Sequence, residues 1–363
     1  MAPTDVRSLV IPKSSMSSGQ VSWRSPSNIA LVKYWGKFGN QYPRNPSVSF
    51  TLSAAYTETT IQYKPREDYK KKLSISFQFD GRSMPTFEQR IEQYLIGLIS
   101  QFNFLEQFDL DIQTRNSFPH SSGIASSASG MSALALCLCS IEDHFFQTLQ
   151  EDQAFRTKAS MTARLGSGSA CRSIYAHAAL WGETGAVDGA SNEYAVSLES
   201  MLHPSFVAYQ DAILLVSREE KSVSSSAGHG LMDHHPFASV RYEQANRNLQ
   251  SALECLQHGD LERFVLLCEQ EAMQLHALMM SSSPYYLLIK PNTLAIIQAV
   301  QSYRNETGIP ICFTLDAGPN VHLLYPKENK DAVENFINDK LVNYCHQGAW
   351  IKDEMGLGPL QSL

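Results

Sequence analysis

The chain has 363 residues, 43% of them hydrophobic and 18% charged, the balance of an ordinary globular protein long enough to bury two cores. Its formal net charge of -7 gives no electrostatic footprint for nucleic acid or an anionic membrane. An anionic substrate therefore has to be gripped by a local cluster of cations. The seven cysteines, at 137, 139, 171, 255, 268, 312 and 345, contain no Cys-x-x-Cys and mostly lie in apolar runs, as reduced thiols do. No signal-peptide core and no apolar run of transmembrane length is present, so the cytoplasm is the expected compartment.

Residues 1–18, ending in a serine-rich run, read as a flexible lead-in. Val21 to Lys37 alternates like a strand and then becomes polar and aromatic at Lys33, Tyr34 and Lys37 beside Gly36. Such a triplet is either a solvated strand end or part of a site. After the turn-rich Arg44-Asn45-Pro46-Ser47 come the predicted strands 47–53, 57–64 and 73–79, a helix over 87–100, and a strand over 108–114.

That last strand feeds the most informative stretch, Asn116 to Asp143. Ala128, Met131, Leu134, Ala135, Leu138 and Ile141 recur at intervals of three and four, one face of a buried helix. The loop Ser121-Ser122-Gly123-Ile124-Ala125-Ser126-Ser127 sits at the N-terminus of that helix. Unpaired N–H groups and a positive partial charge there attract an anion, Gly123 lets a ligand approach the backbone, and the serine hydroxyls add donors. A Ser-capped core helix would need one serine rather than four around a glycine, so the stretch is read as a phosphate-binding loop. It is not a Gly-x-x-x-x-Gly-Lys-[Ser/Thr] loop, and no Gly-x-Gly-x-x-Gly follows a strand.

A second Gly/Ser loop, Gly166-Ser167-Gly168-Ser169-Ala170-Cys171-Arg172-Ser173, precedes an apolar strand predicted at 174–183. An arginine fork at such a place holds a carboxylate or phosphate with two parallel hydrogen bonds. The first domain is expected to span 19–203 and the second 204–363. In the second, a buried strand at 211–216 and a Ser/Gly-rich loop at 221–237 precede helices at about 238–257, 260–282 (with Asp260 as N-cap) and 293–305. Strands at 311–316 and 321–326 flank Ala317-Gly318-Pro319-Asn320, and a last helix is expected at 328–343. The fold class is α+β. Asp316, ending an apolar strand among small residues, reads either as a general base or hydroxyl-orienting group or as an Asx turn. His229, Asp233, His234 and His235 do not have the spacing of a zinc site, and Cys137 and Cys139 read as core.

Four blocks in this order, Asn28-Ile29-Ala30-Leu31-Val32-Lys33-Tyr34-Trp35-Gly36-Lys37, Phe118-Pro119 with Gly123 to Ala128, Gly166 to Ser173 and Asp316 to Asn320, resemble the mevalonate diphosphate decarboxylase family. That family lies within the galactokinase, homoserine kinase, mevalonate kinase and phosphomevalonate kinase superfamily. The resemblance implies a two-domain fold, an N-terminal domain like ribosomal protein S5 domain 2 and a C-terminal ferredoxin-like sandwich, with the site between them. It implies ATP and Mg2+ as cofactors, mevalonate 5-diphosphate as substrate, isopentenyl diphosphate as product, and a homodimer. It further implies that Tyr34, Lys37 and Ser167, with Ser169 nearby, hold the substrate diphosphate. Arg172, supported by Asn28, would fix the carboxylate, and Asp316 would orient or deprotonate the 3-hydroxyl. Ser121, Ser122, Gly123, Ile124, Ala125, Ser126 and Ser127 would cradle the nucleotide phosphates, Ser127 closest to the transferred group and to the metal. In the related kinases the second Gly/Ser motif typically ends in an aspartate base. Here it ends in Cys171-Arg172, and the acid is Asp316, which favours decarboxylation over phosphorylation alone. Arg44, Leu165 and Ser226 depart from the family pattern and bear on the phosphorylation state of the substrate. A decarboxylase of mevalonate 5-phosphate, or a kinase acting on a mevalonate derivative, is the alternative.

Overall fold

The computed structural model describes residues 9–68, 72–119, 124, 126–219 and 225–363. The N-terminal part is built on a sheet of β1 (Gly19–Val32), β2 (Ser47–Pro65), β3 (Ser74–Phe79), β4 (Phe108–Asn116) and β5 (Ala178–Trp181). β1 pairs antiparallel with β2, β2 with β4, and β3 runs parallel to β4. β5 closes on the first residues of β2. The register of β1 on β2 shifts between Pro26 and Asn28 and again between Ala30 and Val32, a bulged strand end of the kind that re-aims side chains beside a site.

Against this sheet lie α1 (Pro85–Leu98) and α2 (Ser126–Phe146), and α3 (Asp152–Gly166) packs on α2. α2 buries Ala, Leu and Cys side chains around most of its circumference, because it is covered by the sheet on one side and by α3 on the other. Cys137 and Cys139 are both in this core. Residues 9–16 depart from the flexible lead-in expected for 1–18. Leu9 and Ile11 are buried, and their N–H groups donate to Asn103 Oδ1 (3.0 Å) and Gln107 Oε1 (2.8 Å). Two buried apolar side chains and hydrogen bonds to Asn103 and Gln107 hold this segment.

The C-terminal part contains β6 (Gln210–Leu214), α4 (Ala238–His258), α5 (Leu261–Met280), α6 (Pro291–Thr307), β7 (Cys312–Thr314), β8 (Val321–Tyr325), α7 (Lys330–Phe336) and β9 (Trp350–Glu354). The strands pair antiparallel in the order β7-β8-β6-β9, the ferredoxin-like arrangement. Asp260 caps α5 by accepting the Arg263 N–H, and Gly259, at φ 75°, ends α4 in the left-handed conformation. The strand expected at 174–183 is shorter. Its first residue, Ile174, ends a 3-10 turn, Gly168–Ile174, that carries Arg172, and residues 175–177 bend before the strand begins at Ala178.

Side chains alternate across β6. Ala212 and Leu214 face α6 and α7, while Ile213 joins a cluster with Phe50, Phe206, Tyr209 and Phe264. Phe50 belongs to β2 and Phe264 to α5, so one core runs through both parts of the chain. A second joint lies at Ser53 to Ala55 of β2, among the residues left out of the β1 pairing by the register shift at Pro26 and Asn28. Asp353 of β9 accepts the backbone N–H groups of Ser53 (2.8 Å) and Ala54 (2.7 Å) on Oδ1 and of Ala55 (2.8 Å) on Oδ2. Burial and the neighbouring Asp211 carboxylate push Asp353 up to about 6, against the pull of these donors. Asp353→Asn, with one acceptor oxygen in place of two, should lower stability by about 1–3 kcal/mol through unsatisfied donors. The check is a shift of the urea midpoint at unchanged m.

Candidate active site

β1 ends at Val32, and the next residue, Lys33, is held from both sides of its backbone. Its N–H donates to Glu271 Oε2 of α5 (2.8 Å), and its carbonyl accepts from Arg241 Nη2 of α4 (2.8 Å) and Asn45 Nδ2 (3.1 Å). Glu271 has no exposure to solvent. Its charge is met by Arg241, Nη2 to Oε2 at 2.6 Å and Nη1 to Oε1 at 2.8 Å, and Asn248 adds a donor. This buried pair ties the end of a strand in the N-terminal part to two helices of the C-terminal part. The Lys33 ammonium is thereby delivered to Asp316, Nζ to Oδ1 at 3.0 Å. Lys33 is buried, whereas Asp316 keeps 28% of its side-chain surface open. The Asp316 loop is itself braced: His276 Nε2 lies 3.1 Å from the Asp316 carbonyl, and Asn320 donates to and accepts from the backbone of Ser217.

Arg172 borders the same cavity as Asp316. Its Nε donates to Ser49 Oγ (2.9 Å), Nη1 to Ser47 Oγ, and Nη2 to Asn28 Oδ1 (3.2 Å). Asn28 in turn donates to Ser173 Oγ (2.7 Å) and the Ser169 carbonyl (3.1 Å), which fixes its amide. All three partners of the guanidinium are neutral, and among the described residues no carboxylate pairs with it. Burial pulls its pKa down from the ordinary arginine value, with Tyr34 and Asp316 opposing. A desolvated cation with neutral neighbours is a receptor for an anion brought by a ligand.

Asn28, Tyr34, Lys37, Ser127, Ser167, Ser169, Arg172 and Asp316 all border one cavity, together with Lys33, Arg90 and His229. Lys37 Nζ donates to Gln41 Oε1 (2.7 Å), and burial lowers its pKa. Burial raises the Tyr34 phenol well above its usual value, so it stays a neutral donor. Gly168 is required by packing: a Cβ there would lie 2.6 Å from Tyr34 Oη and 2.8 Å from the Trp181 ring. Ser127 Oγ is 3.3 Å from Ser167 Oγ, so the two Gly/Ser loops meet.

A second cavity, lined by Phe77, Phe79, Phe87, Ile91, Ile112 and Met131, lies beside the first, and Ser127 and Arg90 border both. Of the expected nucleotide loop, Ser126 borders this apolar cavity. The Ile124 side chain is buried in the core, and its carbonyl accepts from Ser27 Oγ (3.0 Å). Ser121, Ser122, Gly123 and Ala125 lie outside the described residues, as does the segment 220–224. Among the described residues no cluster of three or more His, Cys, Asp or Glu side chains is arranged for a metal. A magnesium ion suits this setting as a hard cation bound mainly by phosphate oxygens and water, and Ser127, Ser167, Ser169 and Asp316 bring protein oxygens to the cavity.

Lys33, Arg90 and the Glu271–Arg241 clamp were not assigned roles from sequence. Lys33 lay in view within the Asn28–Lys37 block. Arg90 is one of several charged residues on a surface helix and carried no local signal.

Residues 25–192 match the model of the diphosphomevalonate decarboxylase-like N-terminal domain, and residues 212–355 that of the mevalonate 5-diphosphate decarboxylase C-terminal domain. A diphosphomevalonate decarboxylase of Ganoderma lucidum is 29% identical over 361 residues, 94% of this chain and 86% of the relative. The mevalonate diphosphate decarboxylase of Staphylococcus aureus superimposes with a TM-score of 0.81 at 28% identity, over 96% of this chain and 99% of the other. A structure of MDDEF in complex with MVAPP, AMPPCP and magnesium gives a TM-score of 0.78 at 27% identity, over 95% and 99%. The chain belongs to the diphosphomevalonate decarboxylase family.

The clamp makes a prediction. Arg241→Met leaves the Glu271 carboxylate buried and unpaired and should lower stability by about 3–5 kcal/mol. Arg241→Met combined with Glu271→Leu should recover part of the loss, as read by chemical denaturation.

Proposed function

We propose that the protein catalyses the ATP- and magnesium-dependent decarboxylation of mevalonate 5-diphosphate to isopentenyl diphosphate, with release of ADP, phosphate and CO2. The observation that carries this reading is Arg172, a buried guanidinium met among the described residues by neutral groups, bordering the same cavity as Asp316. The two suit opposite needs of one 3-hydroxy acid.

Arg172, steadied by Asn28, Ser47 and Ser49, holds the carboxylate. Asp316, oriented by Lys33, takes or directs the proton of the 3-hydroxyl as that oxygen attacks the γ-phosphoryl group. The hydroxyl of a tertiary alcohol is a poor leaving group, and phosphorylation makes it a good one. When the C3–O bond breaks, phosphate leaves with the bonding pair. The electrons of the bond to the carboxylate carbon then form the new double bond, and CO2 departs. Tyr34, Lys37 and Ser167, with Ser169, hold the diphosphate. The nucleotide base would take the apolar cavity, and its phosphates would then pass Arg90 to Ser127, on the N-terminal turn of α2, with the Ser121–Ser127 loop as cradle. Ser127 would help to hold a magnesium ion on the nucleotide phosphates, and the ion would supply charge that offsets that of the transferred group. The protein's contribution is positioning and electrostatics rather than covalent chemistry.

A homodimer in the cytoplasm completes the reading. Its support is the family resemblance for the dimer and the scattered buried cysteines for a reducing compartment.

The direct test supplies ATP, magnesium and, in parallel, mevalonate, its 5-phosphate and its 5-diphosphate, with products identified by mass spectrometry. Isopentenyl diphosphate and CO2 from the diphosphate alone are expected; a stable phosphorylated acid would make the protein a kinase. Asp316→Asn should lower kcat by about 10²–10⁴-fold while substrate still binds. Arg172→Lys should lower kcat/KM by about 10²-fold or more, since a point charge does not replace a fork. Stopped assays with wild-type and variant enzymes read both, and unchanged turnover in either would remove that residue from its role.

A further inference from the structure

His229 has no part in the scheme above, yet it borders the same cavity as Tyr34, Lys37 and Arg172. It lies on the short helix Ser225–Gly230 and is only 6% exposed. The Tyr34 ring stacks on it at 4.5 Å and 27° between planes, and Trp35 packs at 4.4 Å and 36°. Nδ1 accepts the backbone N–H of Gly36 at 2.9 Å. An amide N–H can only donate, so Nδ1 presents its lone pair and the proton of the neutral ring is on Nε2. The ring is neutral because burial and the nearby Lys37 ammonium hold its pKa well below the ordinary histidine value. Nε2 makes no hydrogen bond to a described residue, nor is it among the sealed polar atoms without a partner. Its donor therefore opens on space, and the space His229 borders is the cavity.

We propose that His229 is a further substrate-binding residue whose Nε2–H donates to a phosphoryl oxygen of the substrate diphosphate beside Lys37. The proposal rests on the functional reading above and adds a contact to it. Tyr34, Trp35 and Gly36 fix the ring on three sides, so the donor is oriented before a ligand arrives. A neutral donor here adds a hydrogen bond to an anion without placing a second positive charge against Lys37.

Two substitutions separate the donor from the Gly36 bond. His229→Gln carries an amide N–H toward the Nε2 position, whereas His229→Asn keeps an acceptor near Gly36 but has no donor that reaches as far. With the full-length enzyme and mevalonate 5-diphosphate, His229→Asn should raise the substrate KM about tenfold, with a much smaller change in kcat and in the KM for ATP. His229→Gln should stay within about threefold of wild type. An unchanged KM in His229→Asn, or equal impairment in both variants, would overturn the proposal. Calorimetric titration with inorganic diphosphate reads the same contact without turnover. Weaker binding by His229→Asn alone is expected, and equal or undetectable binding by all three proteins overturns it. Failure of the wild type to decarboxylate would count against the functional reading, while the diphosphate titration still decides the role of His229.

Discussion

The site depends on the two-sided grip on the backbone of Lys33. A strand that ended in solvent would leave the segment from Lys33 to Lys37 to sample many conformations, and each ordered residue costs about 1–2 kcal/mol in backbone entropy. Here Glu271 takes the N–H and Arg241 and Asn45 take the carbonyl. The buried ion pair is weak evidence for net stability, because desolvation offsets much of its attraction. What it supplies is place. It sets the β1 terminus against α4 and α5, and so brings Lys33 to Asp316 and Tyr34 to His229. The core shared by Phe50, Phe206, Tyr209 and Phe264 and the Asp353 joint hold the same relation elsewhere along the boundary.

With that relation fixed, the cavity is electrostatically divided. Arg172 is desolvated and surrounded by hydroxyls and an amide, whereas Asp316 is already paired with a cation. An anion is drawn to the first and repelled from the second, so a hydroxy acid has one favourable orientation. The protein bears the desolvation of Arg172 in advance, which is how a preorganised site gains rate without rearranging at the moment of reaction. Ser127 and Arg90 border both this cavity and the apolar one beside it, so a donor and a cation stand where the two meet.

The local elements were legible because short-range physics determines them. The three- and four-residue spacing in α2, the Asp260 cap and the alternating strands require nothing beyond their own neighbourhoods. The strand within 174–183 is shorter than its apolar composition suggests, since residues 175–177 bend, with His177 at a positive φ of 56°, before β5 pairs with β2. Residues 9–16 carry no local signal of order because Asn103 and Gln107, which hold them, are far away in the chain.

Sequence alone determined the chemical inventory: an arginine after a Gly/Ser turn, an aspartate at a strand end, a lysine-tyrosine pair and a serine-rich helix start, in the order of one family. It did not determine that these converge, nor that Lys33 serves Asp316 or that His229 lies flat on Tyr34. Those facts were decided by tertiary structure. Each depends on a contact between segments remote in the chain, whose geometry comes from the packing of α4 and α5 on the end of β1 rather than from the propensity of any residue.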